Sequence, residues 1–149
     1  ANAACQFRAL SLQLCSAEND HAALREEICD HLESHLESHS DRYPVDFKYV
    51  TEMRKPTTWG DDVTLQAFAD LYERDLNIVT CHHTPNAFVR RTPTGSDGLD
   101  IATHHPPMYL ACYADVYYSA VIEIHKKPEE VFVHTQMLIH LPHLCLLLQ

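Results

Sequence analysis

Cysteine, histidine and carboxylate are the side chains of this sequence that can carry covalent or acid-base chemistry. Cys5 stands immediately before an apolar pattern of helical period, Phe7, Leu10 and Leu14. A cysteine at a helix start is well placed as a nucleophile, because the free N–H groups and the positive end of the macrodipole favour thiolate. The same N–H groups can receive a developing oxyanion, so one short stretch can supply both nucleophile and charge stabilisation. The bland alternative for any one of the six cysteines, at positions 5, 15, 29, 81, 112 and 145, is a small buried hydrophobe.

Histidine is plentiful, at 12 residues. His31, His35 and His39 recur every four residues, a spacing that puts neighbours on one helix face, with Glu33 or Glu37 nearby to complete a metal site. The order His-Leu-Glu-Ser-His differs from the His-Glu-x-x-His of zinc proteases, whose glutamate shares the histidine face. A solvated polar face opposite Leu32 and Leu36 is therefore the expectation, and neither metal nor cofactor is expected. Cys81, His82, His83, His104 and His105 are further donors without a Cys-x-x-Cys pair to organise them.

These groups need elements to hold them. Cys5 to Leu14 predicts a first helix. Asn19 or Asp20 can cap a second carrying Leu24, Ile28, Leu32 and Leu36. Pro44 suits the first turn of a third helix carrying Phe47, Val50 and Met53, and Asp61 can cap a fourth carrying Leu65, Phe68 and Tyr72. Beyond Asp75 the segments Leu76–Thr80, Ala87–Arg90, Met108–Cys112 and Tyr117–Ile124 are short and rich in β-branched and aromatic residues, which predicts strands. Thr92 to Pro107, with Gly95, Gly98, Pro93, Pro106 and Pro107, predicts a long loop. Helices first and strands later give an α+β, or mixed α/β, domain.

The 149 residues, 46% of them hydrophobic, suffice for one core. A formal charge of −10, from 21 acidic and 11 basic side chains, argues against nucleic acid as a partner. With no leader pattern before the cysteines, reduced thiols and an intracellular setting are expected. No uninterrupted run of about 20 apolar residues calls for a membrane span. From Val131 to Gln149 there is no Asp, Glu, Lys or Arg, although His134, His140, Pro142 and His143 interrupt the run. That tail is expected either to pack on its own domain or to dock on another protein.

Several blocks together resemble the ovarian-tumour (OTU) family of cysteine deubiquitinases. Cys5-Gln-Phe-Arg-Ala-Leu10 is similar to the nucleophile motif, Leu24-Arg-Glu-Glu-Ile28 to the second-helix motif, and Thr58-Trp-Gly-Asp-Asp-Val-Thr-Leu-Gln-Ala67 to the tryptophan-glycine block. Leu76-Asn-Ile-Val79 resembles the strand that follows, and Leu110 to Val121 the strand pair that delivers the base. The resemblance implies a papain-type fold, helices flanking a small central sheet, over residues 1–125, with 126–149 as an apolar extension.

It also implies a nucleophile at Cys5, a histidine base and an orienting acid or amide. The ungapped match puts Tyr117 at the histidine position and Ser119 at that of the orienting partner, while Asn2 and Ala3 replace the aspartate and glycine before the cysteine. A phenol, with pKa near 10, stays protonated at neutral pH and cannot act as the base that imidazole, near 6.5, provides. A Cβ at position 3 is expected to obstruct the oxyanion turn. The resulting expectation is an impaired enzyme that binds ubiquitin or serves as a subunit of a larger assembly. The alternative is an active thiol isopeptidase whose base comes from His82, His83, His104, His105 or His125.

Overall fold

The computed structural model describes residues 3–38, 42–80, 88–95, 102–113, 117–121, 123–124 and 133–134. Four helices come first: α1 (Cys5–Cys15), α2 (His21–Glu37), α3 (Phe47–Met53) and α4 (Asp62–Tyr72). The strands β1 (Leu76–Thr80), β2 (Phe88–Arg91), β3 (Met108–Tyr113) and β4 (Tyr117–Ala120) form one mixed sheet in the order β2-β1-β3-β4. β1 runs antiparallel to β2 and parallel to β3, and β4 returns antiparallel to β3. The α+β architecture matches the expectation.

The helical periods bury what they should. Phe7 and Leu10 of α1, Ile28 and Leu32 of α2, Leu65 and Phe68 of α4, and Leu76 and Leu110 of the sheet are completely inaccessible to solvent. α1 lies against β4 and α2, so the helix that begins with Cys5 is wedged between the sheet and the second helix. β2 forms one edge of the sheet and carries Arg90 and Arg91, charges that discourage further strand pairing.

Helix starts differ from the expectation in two places. Pro44 precedes the third helix instead of opening it. The start is set by Asp46, whose carboxylate accepts the Tyr49 N–H at 2.8 Å, and Phe47 is consequently turned outward, 52% exposed. At α2 the side chain of Asp20 makes no capping bond. A 3₁₀ turn over Glu18–Asp20 leads the chain into the helix instead. Asp61 does cap α4, accepting from Val63 and Thr64 while the Thr64 hydroxyl receives the Asp61 N–H, a reciprocal capping box.

The strand expected over Tyr117–Ile124 divides. β4 ends at Ala120, where Gln13 of α1 donates its side-chain amide to the Val121 carbonyl at 2.6 Å. A separate two-residue ladder follows, with β5 (Glu123–Ile124) antiparallel to β6 (Val133–His134), and it crosses the boundary expected at residue 125. The rest of the 126–149 extension lies outside the described residues. No helix among the described residues is long and apolar enough to cross a membrane.

Candidate active site

Cys5 is the first residue of α1 and is 5% exposed. The Tyr118 backbone N–H, in β4, donates to its Sγ at 3.4 Å. Burial pushes the thiol above its ordinary value, while the N–H groups of Tyr118, Gln6 and Cys5 itself pull the other way. The thiolate-favouring effect expected of a helix start therefore operates, but desolvation outweighs it.

Tyr117 heads β4, one residue before that donor, and is close enough to Cys5 for the two to influence each other electrostatically. Burial, then the neighbouring Cys5 and Glu18, push the phenol above its usual value, with Arg8 opposing. Tyr117 is thus a neutral hydroxyl across the physiological range. Ser119 shares its strand face by the two-residue period. Its hydroxyl lies 3.5 Å from the Ala120 carbonyl, at the long limit of a hydrogen bond.

Of the residues before the nucleophile position, Asn2 lies outside the described residues. Ala3 occupies a turn, and the described non-glycine residues with left-handed φ are Ser16 and Glu73.

Around this core the structure reveals residues that the sequence reading passed over. Gln6, 1% exposed, donates to the Asp61 carbonyl at 3.2 Å and accepts the Thr64 hydroxyl at 2.6 Å. Gly60 makes room for it: a Cβ there would lie 2.1 Å from Gln6 Oε1 and 2.6 Å from its Cδ. That contact is the physical content of the tryptophan-glycine block. Arg25, 3% exposed, donates to the carbonyls of Met53 at 2.7 Å and Thr58 at 2.9 Å, and to that of Ala3 at 3.4 Å. Arg25 lies beside Leu24 on the buried side of α2, four residues before Cys29, a place its charge disguises in the sequence.

The histidine row of α2 is not the solvated face expected. His31 and His35 are half-buried, their ring centroids 4.5 Å apart, and Tyr43 packs edge-on to both. The Tyr43 hydroxyl donates to Asp70 and lies 3.0 Å from His31 Nε2. Asp70 is also held by Arg42 at 3.2 Å and by the Thr94 N–H at 2.8 Å. His39, Cys81, His82, His83 and His125 lie outside the described residues, and among the described residues no three potential ligands converge on a metal position.

A buried cysteine opening a helix, with the backbone of a sheet strand reaching its sulfur, is consistent in layout with a papain-type cysteine protease fold. The profile of the family described as OTU-like cysteine protease matches residues 2–125, and the chain belongs to that family. OVARIAN TUMOR DOMAIN-containing deubiquitinating enzyme 10 of Arabidopsis thaliana is 32% identical over 118 residues, which are 78% of this chain and 31% of that protein. The chain thus spans under a third of that relative's length. Among solved structures, the OTUD1 OTU domain superposes with a TM-score of 0.65 at 17% identity, over 80% of this chain and 79% of that one. An OTU domain in complex with ubiquitin gives 0.54 at 13%, over 80% and 63%.

Proposed function

We propose that this chain is an OTU domain that binds ubiquitin without hydrolysing its conjugates. The observation that carries the reading is Tyr117, a neutral phenol beside Cys5, read from the ungapped sequence match as standing where the family pattern has histidine. A protonated phenol can donate a hydrogen bond but cannot accept the thiol proton at neutral pH, and removing one member of a catalytic triad costs roughly four to six orders of magnitude in rate. Ser119, read from the same match as standing at the orienting position, carries a hydroxyl in place of a carboxylate or carboxamide, a shorter group with less reach to orient a base. Ubiquitin as the ligand is supported by the deubiquitinating enzyme named among the relatives and by the OTU domain solved in complex with ubiquitin.

The test combines a ubiquitin suicide probe with a titration of monoubiquitin followed by heteronuclear NMR. The expected result is no adduct on the parent, saturable shifts on titration, and an adduct on the variant combining Asn2→Asp, Tyr117→His and Ser119→Asn. Adduct formation by the parent that disappears in Cys5→Ser would establish an active thiol enzyme and overturn the reading. Absence of shifts at millimolar ubiquitin would remove the binding role.

A further inference from the structure

The second-helix motif contains a buried cation that the catalytic pattern does not use. Arg25 donates one Nη1 to two carbonyls, Met53 at the end of α3 and Thr58 at the entry to the tryptophan-glycine block, at 2.7 and 2.9 Å. Its guanidinium lies over the Phe7 ring, 4.0 Å from the centroid. Two bonds and a stacked face fix the plane of a rigid fork. The remaining edge, Nη2, then projects to the Ala3 carbonyl at 3.4 Å.

That last contact reaches the turn from which Cys5 emerges. A trans peptide is planar, so holding the Ala3 carbonyl toward Arg25 turns the Ala4 N–H the opposite way. The next peptide is held independently, because the Ala4 carbonyl accepts the Arg8 N–H at 2.9 Å as the first bond of α1. Both peptide planes flanking Ala4 are thereby set, and with them the direction in which Cys5 enters the helix and the aim of the Cys5 N–H. Arg25 belongs to α2, so its side chain links the seating of α2 to the turn that leads into Cys5.

We infer that Arg25 is a positioning residue for Cys5: it clamps the Ala3–Ala4 peptide and keeps the thiol seated at the start of α1. The role rests on Cys5 standing at the family's nucleophile position and is independent of ubiquitin, so a failure to bind ubiquitin leaves it standing. Lysine cannot reproduce it, since an ammonium on a flexible stem lacks the planar fork that spans three carbonyls.

The experiment is native-state alkylation of the full chain by a small haloacetamide, with the rate at each cysteine read by peptide mass spectrometry. Cys29 and Cys112, both buried, report global opening in the same samples. In Arg25→Lys, with a cooperative melt confirming that it folds, Cys5 should be alkylated about tenfold faster while Cys29 and Cys112 keep their rates, the signature of a local opening. An unchanged Cys5 rate, or a rise shared equally by the three cysteines, would overturn the proposal, the latter because it would reveal a purely structural role. If Arg25→Lys does not fold, Arg25→Gln, which keeps a donor for the Met53 and Thr58 carbonyls but lacks the second arm that reaches Ala3, decides the matter. Selective acceleration at Cys5 in that variant supports the clamp, and an unchanged Cys5 overturns it.

Discussion

Exchanging an imidazole for a phenol at one position moves a proton-accepting group out of the physiological range while keeping an aromatic ring in its place. On the proposed reading Tyr117 is such an exchange, and burial beside Cys5 moves its hydroxyl further in the same direction. His31 shows the converse effect of burial on a cationic acid: desolvation first, then the neighbouring His35, lower its pKa to about 4, with Asp70 opposing and Arg42 adding to the fall. Unfolded, that imidazole titrates near 6.5. Between those values the unfolded chain binds more protons than the folded one, so stability declines as pH falls through this window and is constant above it. For a partly accessible group the effect is on the order of 1–2 kcal/mol after solvent screening is allowed for. His31→Gln, which can still donate to Tyr43, should flatten this part of the profile of urea midpoints against pH. An identical slope in parent and variant would count against the assignment.

At the scale of elements, the entry to α1 is shaped by the loop that leads into α4. Gly60 admits Gln6, and the Asp61–Thr64 capping box receives it. Gly60→Ala places a Cβ against the Gln6 carboxamide and should destabilise the chain by about 1–3 kcal/mol, the usual cost of overpacking a filled site, seen as a lower urea midpoint. An unchanged midpoint would mean that Gln6 has an alternative seat. The helices were legible in the sequence because Phe7, Leu10, Ile28, Leu32, Leu65 and Phe68 repeat at the helical period and bury one face each. The site was legible in part: Cys5 and Tyr117 come together, whereas Arg25 was hidden by its charge, because a buried arginine is satisfied by carbonyls 22 to 33 residues distant that no local pattern announces. The misplaced third-helix start has a similar origin. Pro44 reads as the helix-start signal, whereas the group that reaches an orphan N–H is the carboxylate of Asp46, two residues on, which the sequence reading passes over. The end of β4 was illegible because it depends on Gln13, 108 residues away.

For the whole molecule, the sheet hairpin β5–β6 decides how the charge-free tail is to be tested. A cut at Lys127 would remove β6 and leave β5 without its ladder, confounding loss of a docking segment with loss of structure. A chain ending after Thr135 keeps the ladder. On the expectation that the tail docks on another subunit, this truncation should abolish co-purification with that partner while leaving the thermal midpoint unchanged. Retained association would assign docking to another surface.

The bond from the Tyr118 N–H to the Cys5 sulfur spans 113 positions of sequence. At a ribosomal pace of about 5–20 residues per second, roughly 6 to 23 s separate synthesis of the cysteine from synthesis of the strand that covers it. During that interval the nascent thiol lacks the cover supplied by β4, so the period before β4 is made adds to the native-state openings as an occasion for oxidants and electrophiles to reach position 5.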